Sequence, residues 1–377
     1  MEYILESWSL VVILLAAFVI GWAAETAQTF IPKALALSIL AWLQTLPEFA
    51  VEASIAWAQN RDLMIANLTG SLRLLVGLGW PLIFFTHWFF QGVLRSKKIR
   101  EIVLEKEDSQ SVLFLFLAVV YFCYVLFKGT LTVWDSLWLT VIYVAYLIVI
   151  ARQPVPDAEE HDDEDLPWIG KKIVRLQPFP KTTAVVVLFM AGGWALYVSV
   201  HPFIDTLQKW SLGLGISTFV FIQWVAPFLS EFPEKVTAFN WARQPGKAQM
   251  GVMNMVSSNI NQWTMLAAMI PLVFNISLGH LEPVRFDHVH WVELALTIAQ
   301  SFLAGLLILD LRFSIVDAGV LFLLWVVQFF VSHLREEIAI IYLIWIGIEL
   351  IRIAYLYATQ KKIPHALELL TARAKTV

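Results

Sequence analysis

Two short stretches place acids where apolar sequence surrounds them. Leu46-Pro47-Glu48 and Phe232-Pro233-Glu234 each lie in a long apolar run, and each is followed by an Asn and a Ser: Asn67 and Ser71, then Asn254 and Ser258. The Pro-Glu pairs stand 186 positions apart (48 to 234), the Asn and Ser residues 187 (67 to 254, 71 to 258). A carboxylate at membrane depth is costly and marks a functional site by default. Two of them, related by an internal repeat, point to one shared site. Thr45, Glu48 and Glu52 are spaced three and four residues apart and so share a helix face. Ser230, Glu231 and Glu234 share one in the same way, and Ser258, Asn259 and Gln262 add oxygens on the following run, with Asn254 a turn ahead of Ser258 as Asn67 is of Ser71. Pro47 removes a backbone donor and is expected to free a carbonyl a turn earlier. Converging carboxylate, hydroxyl and carbonyl oxygens form a hard-oxygen cation site, suited to Na+ and Ca2+ rather than soft metals.

The elements that position these residues are membrane helices. The 377 residues are 59% hydrophobic and only 15% charged, with a mean hydropathy of +0.71; a soluble domain carries about 25% charged residues. Apolar runs of roughly 20 residues, enough to cross a bilayer, recur from end to end. The alternating short segments of a membrane β-barrel are absent. The spacing predicts eleven spans, at 8–28, 34–59, 63–90, 111–128, 131–151, 182–201, 211–242, 249–276, 290–309, 314–332 and 337–358. The second, third, seventh and eighth are long and interrupted by Pro, Gly or polar residues, the pattern of a transporter's binding helices. Met1–Trp8 carries Glu2 and Glu6 but no Lys or Arg, so the first run is expected to stay as a helix rather than be cleaved as a signal peptide.

Charge sets the orientation. Of 26 Lys and Arg, 18 fall on the side opposite the N-terminus, 5 on the N-terminal side, and Arg73, Lys235 and Arg352 lie inside spans. The positive-inside rule then puts the N-terminus outside and the C-terminus in the cytoplasm, in the inner membrane of a bacterial or archaeal cell. Five spans precede the loop at 152–181, so the two Pro-Glu copies run in opposite directions. Leu131–Leu147 resembles Leu311–Val327, each with an acid near its start, Asp135 and Asp317; both sit near span starts, where they favour a helix N-terminus. The fold class is thus an all-α polytopic membrane protein of two inverted-topology repeats (1–151 and 182–333), joined by a solvated acidic-to-basic loop and followed by an extra C-terminal helix and tail (334–377). The acidic patch at 157–165 lacks the spacing and turn glycine of an EF-hand.

Glu48, Glu52, Glu231, Glu234, Arg73 and Lys235 are six ionisable groups in or near mid-span. Facing lipid they would cost on the order of 15–20 kcal/mol, more than a typical stability of about 5–15 kcal/mol. They must pair, hydrate or bind ions. Outside this set, His288 and His290 are expected at the outer surface, and Cys123 in packing. An intramembrane enzyme is disfavoured, because His-Glu-x-x-His and Gly-x-Ser-x-Gly motifs are absent.

Leu46-Pro47-Glu48 with Asn67-Leu68-Thr69-Gly70-Ser71, and Phe232-Pro233-Glu234 with Asn254-Met255-Val256-Ser257-Ser258-Asn259, resemble the two α-repeats of the sodium/calcium exchanger branch of the cation/calcium exchanger superfamily. The motif-level match covers about 40–90 and 223–275 of the chain. The resemblance implies two inverted five-helix halves and a secondary antiporter, exchanging Ca2+ for Na+ or H+ by alternating access, with spans one and six sliding across a four-helix core. It implies Glu48 and Glu234 as central ligands, Thr45 and Ser71 beside the first, and Ser230 and Ser258 as their opposites. Its partners are then small cations and the lipid bilayer, with no cofactor and no nucleic acid. The chain departs from the family pattern where Gln44-Thr45 and Ser230-Glu231 precede the motifs, where Leu75 and Gln262 replace a later Asn or Asp, and where Arg73 and Lys235 add positive charge. Arg73 is expected to stand in for one bound ion by pairing with Glu48 or Glu231, since a guanidinium stays charged. That would change the coupling ion to H+, carried on Glu48 or Glu234, or leave an exchanger fold that no longer transports.

Overall fold

The computed structural model describes residues 7–27, 44–152, 168–361 and 363–374. The acidic stretch 157–165 and the first part of the second span, 34–43, lie outside the described residues. The first half contains α1 (Trp8–Ala27), α2 (Leu46–Trp57), α3 (Arg61–Val93), β1 (Glu101–Val103), α4 (Ser109–Lys128), β2 (Thr130–Leu131) and α5 (Val133–Ala151). A short α6 (Trp168–Val174) precedes the second half. That half contains α7 (Pro178–Gly213), α8 (Thr218–Ser230), α9 (Phe232–Arg243), and α10, whose three segments are Ala248–Asn261, Gln262–Leu266 and Ala267–Leu278. It closes with β3 (Val284–Arg285), α11 (His288–Leu307), β4 (Arg312–Ser314) and α12 (Ile315–Phe330); α13 (Arg335–Gln360) and α14 (His365–Ala374) follow.

The expected spans fall on helices, with two differences. The sixth runs to Gly213 rather than ending at 201, because Pro202 sits inside α7 without stopping it; α8 accordingly begins at Thr218 rather than 211. The seventh span is broken in two. Glu231 leaves the helical conformation (φ −95°, ψ 4°) between α8 and α9, two residues ahead of Pro233, where the missing proline N–H and the restricted preceding residue favour a break. The Glu231 N–H closes the last turn of α8 by donating to the Pro227 carbonyl at 2.9 Å. The residue four before Pro47, whose carbonyl the proline would leave free, lies outside the described residues.

The two halves repeat in inverted topology. β1 pairs antiparallel with β4 and β2 with β3. Exchanging the halves carries β1 onto β3 and β4 onto β2, so one small sheet maps onto the other. The same exchange relates two helix starts. Thr132 with Asp135 and Ser314 with Asp317 each form a capping box at the N-terminus of α5 and α12. It also relates two local helix defects. Leu75–Gly79 in α3 and Gln262–Leu266 in α10 are π-helical turns 187 positions apart (75 to 262), in step with the Asn and Ser offset. Insertions of this kind are frequent at functional sites.

Burial separates core from periphery. In α3 83% of the apolar window is enclosed by protein and in α11 72%, against 28% in α7 and 11% in α13. α1 packs along α7, and that pair also touches α2, α8 and α9. α3 crosses α8 closely at Gly70, where a Cβ would stand 1.8 Å from the Gln223 carbonyl oxygen.

Candidate cation site

The break at Glu231 and the start of α2 bring the acids of both halves into the interior. Glu48, Glu52, Glu231 and Glu234 are all buried, as is Lys235. Gln262, the first residue of the π turn in α10, joins them. Its Nε2 donates to Glu48 Oε2 at 2.7 Å and to Glu231 Oε1 at 3.0 Å, bridging the halves. Lys235 Nζ donates to the other Glu231 oxygen at 2.5 Å, one helical turn away. Glu234 follows on the first turn of α9, within electrostatic reach of Glu231; Asn254 Nδ2 donates to its Oε1 at 3.3 Å and Ser258 Oγ to the same oxygen.

The first half is arranged differently. Ser71 lies against the Glu48 carboxyl, but Asn67 Nδ2 donates to Glu52 Oε2 at 2.6 Å rather than to Glu48. The Thr45 hydroxyl accepts from Asn261 Nδ2 of α10 at 2.6 Å. Ser230 turns its hydroxyl back on its own helix, toward the Pro227 carbonyl at 3.4 Å. Glu48, Glu231, Glu234, Gln262, Ser71, Ser258 and Asn254 therefore converge, with Thr45 and the Asn67–Glu52 pair on the same helices at their edge.

Apart from the Ser71 hydroxyl, the unmatched atoms of this cluster are acceptors. Glu48 Oε1, Glu52 Oε1, Glu234 Oε2, Gln262 Oε1 and the side-chain oxygens of Asn67, Asn254, Asn259 and Asn261 are buried without a hydrogen-bond donor. Buried polar atoms are normally satisfied. A surplus of lone pairs beside several carboxylates is the donor set of a hard cation or a proton.

Arg73 is not part of it. Its guanidinium pairs with Glu293, not with Glu48 or Glu231 as expected. It also donates to Gln328 Oε1 at 3.0 Å and the Thr69 carbonyl at 3.2 Å, and lies over the Trp224 ring at 5.0 Å. Glu293 accepts in addition from Arg335 of α13 and, at 2.8 Å, from Gln223 of α8. The positive charge that does lie among the site carboxylates is Lys235. The sequence reasoning passed over Glu293, Gln223, Gln300 and Gln328, although all four interrupt apolar runs. It also placed His290 at the surface; the ring is buried, in a capping box with Asp287 and 3.1 Å from Asp62.

Comparison with known proteins bears on this arrangement. The family model described as "Sodium/calcium exchanger protein" matches residues 4–152 and 184–333. A solved structure of the H+/Ca2+ exchanger CAX superposes with a TM-score of 0.86 at 30% identity, covering 98% of this chain and 90% of that one. The sodium-calcium exchanger NCX_Mj, soaked with Na+ and no Ca2+, gives 0.55 at 19% identity over 87% of this chain and 96% of that one. Native YfkE gives 0.63 at 16% over 90% and 92%. At these lower identities NCX_Mj and YfkE share the fold. No curated protein matches the sequence.

Proposed function

The chain belongs to the sodium/calcium exchanger protein family, and on that premise we propose that it is a secondary antiporter exchanging Ca2+ for H+ by alternating access. The observation that carries this reading is the surplus of buried acceptor oxygens around Glu48 and Glu234. Ca2+ binds six to eight hard oxygens. Here it would take the carboxylate oxygens that now hold the Gln262 amide, with Gln262 turning its own Oε1 to the ion. Glu48, Glu234, Ser71, Ser258 and Gln262 are the central ligands in this reading, with Glu231, Asn67, Asn254, Thr45 and Ser230 around them.

Two features favour H+ over Na+ as the coupling ion. The relative at 30% identity is the H+/Ca2+ exchanger CAX. Within this chain, the position expected to offer an amide or acid ligand in the first half is Leu75, and Glu231 already holds the Lys235 ammonium. The excess of Lys and Arg on one side supports an N-terminus outside and a C-terminus in the cytoplasm.

The test is flux through purified protein in liposomes. A pH gradient should drive Ca2+ uptake, an Na+ gradient should not, and Glu48→Gln or Glu234→Gln should abolish uptake. Uptake that follows Na+ alone overturns the choice of coupling ion. No uptake under either gradient overturns the transport reading.

A further inference from the structure

The internal repeat isolates an acid and a base that only one half possesses. At the offset of 186 that relates Glu48 to Glu234, Glu231 stands opposite Thr45 and Lys235 opposite Phe49. Where the first half has a hydroxyl and an aromatic ring, the second has a carboxylate and an ammonium one helical turn apart. The two have a net charge of zero, and their side chains meet at 2.5 Å with 1% and 5% exposure.

Packing alone does not account for such a pair. An isolated buried ion pair gains little over well-packed apolar groups, because desolvation offsets the Coulomb attraction. This pair is also not isolated. The second Glu231 oxygen shares the Gln262 amide with Glu48, so the ammonium is one side chain removed from the acid of the other half. Glu234 lies on the same turn of α9 as Lys235. A compact monovalent charge fixed to a carboxylate inside a carboxylate cluster occupies the position of a monovalent ion. Unlike an ion, it cannot leave.

We propose that Lys235 is a tethered cation that fills the Glu231 carboxylate permanently and so excludes Na+ from the site. Lysine suits this role because its charge is a point on a flexible stem, close in shape to a bare monovalent ion, whereas a guanidinium is a broad plane. Lys235 is then a specificity-determining residue, and it takes the role that the sequence suggested for Arg73. The proposal rests on reading the carboxylate cluster as the cation site.

The experiment is thermal unfolding of the purified full-length protein in Na+ or Ca2+, with choline chloride matching ionic strength. For the wild type, Ca2+ should raise the midpoint and Na+ should not. In Lys235→Met, Na+ should raise the midpoint and should compete with Ca2+. Adding Glu231→Gln to Lys235→Met should remove the Na+ response, because the vacated carboxylate is gone. Lys235→Gln, which keeps a polar donor at the position, serves where the Met variant does not fold, and is expected to respond to Na+ in the same way. The proposal is overturned if the Lys235 variants stay as indifferent to Na+ as the wild type while still responding to Ca2+, or if the wild type already responds to Na+. A wild type that ignores Ca2+ strikes instead at the reading of the cluster as a Ca2+ site.

Discussion

Glu293→Gln tests whether the second buried charge cluster holds the helices around the site. Glu293 is 1% exposed and faces two guanidiniums, of Arg73 at 0% and Arg335 at 12% exposure. One of its oxygens takes both Arg73 and Gln223, the other takes Arg335. Glutamine keeps one acceptor and turns an NH2 group toward a guanidinium, so one side of the network loses its partner outright. Arg335 can reach water at the rim; Arg73 cannot. Removing one member of a buried ion pair typically costs about 3–5 kcal/mol. The cost should therefore fall near this range, with most of it at Arg73.

The companion variant is Arg73→Met with Glu293→Gln. Removing both charges eliminates the unpaired guanidinium in α3, so the double variant should recover part of the loss, with a non-additivity of about 2–3 kcal/mol. Unfolding midpoints in one detergent, followed by tryptophan fluorescence, would measure it. Arg352→Gln is the control, since Arg352 is about half exposed and paired at the surface, where such pairs contribute about 0–1 kcal/mol. If Glu293→Gln lowers the midpoint no more than Arg352→Gln, or if the double variant is no better than Glu293→Gln alone, the network is not what fixes these helices.

Gly70→Ala should abolish correct folding, because the new methyl would stand 1.8 Å from the Gln223 carbonyl oxygen, a backbone atom that cannot step aside; Gly213→Ala, with open space around it, should yield monodisperse wild-type-like protein on size-exclusion chromatography. At the end of the loop before α4, burial, then the nearby Glu105 and Glu107, raise the Asp108 carboxyl from 3.8 to about 7 although it accepts from the Glu105 N–H. A raised acid favours the protonated folded form, so its penalty is absent below about pH 4 and grows as pH rises to about 7. Asp108→Asn should thus unfold at a higher temperature than wild type at pH 8 and match it at pH 4, a difference that thermal melts at the two pH values would show.

The Pro-Glu motifs were legible because polar residues in an apolar run have few explanations, and because two copies at one offset remove most of the rest. The inverted topology followed from the odd number of spans before the central loop. The π turns leave no periodicity of their own. Yet Leu75 and Gln262 stand at the offset of the Asn and Ser residues, so knowledge of one turn would have implied the other. The sixth span was expected to end at 201, whereas the helix runs through Pro202 to Gly213. The partner of Arg73 was missed for a different reason. Glu293 is 220 positions away, on a helix whose other residues gave no sign of a site, and a Coulomb partner across a fold has no local signature. Lys235 was visible from the start, but a lysine near a helix end is commonly a solvated charge. Only its geometry shows that it points inward.

The placement of the contacts also bears on which helices can move. Around the acids, the halves are tied to each other at both membrane faces by the two exchanged sheets, and in the interior by the Gln262 bridge and the Arg73–Glu293–Arg335 network. The α1–α7 pair takes no part in those ties. It lies across α2, α8 and α9, the helices that carry or flank the acids. Among the described residues its polar links to the rest include the Ser54 hydroxyl with His201 Nδ1 at 2.9 Å and the Ser211 hydroxyl with that of Thr218 on α8 at 2.8 Å, while Ser9 and Thr206 face each other within the pair at 3.4 Å. The pair itself is tightly matched, since a Cβ on Gly192 would meet Ile20 Cγ1 at 2.6 Å. A unit packed closely within itself, and outside the ties that cross-link the core, can slide as one body. If α1 and α7 uncover the site alternately from each side, a crosslink between positions 54 and 201 should stop transport and leave Ca2+-dependent stabilisation in place. A crosslink between α3 and α8, whose contact at Gly70 does not open, should leave transport intact.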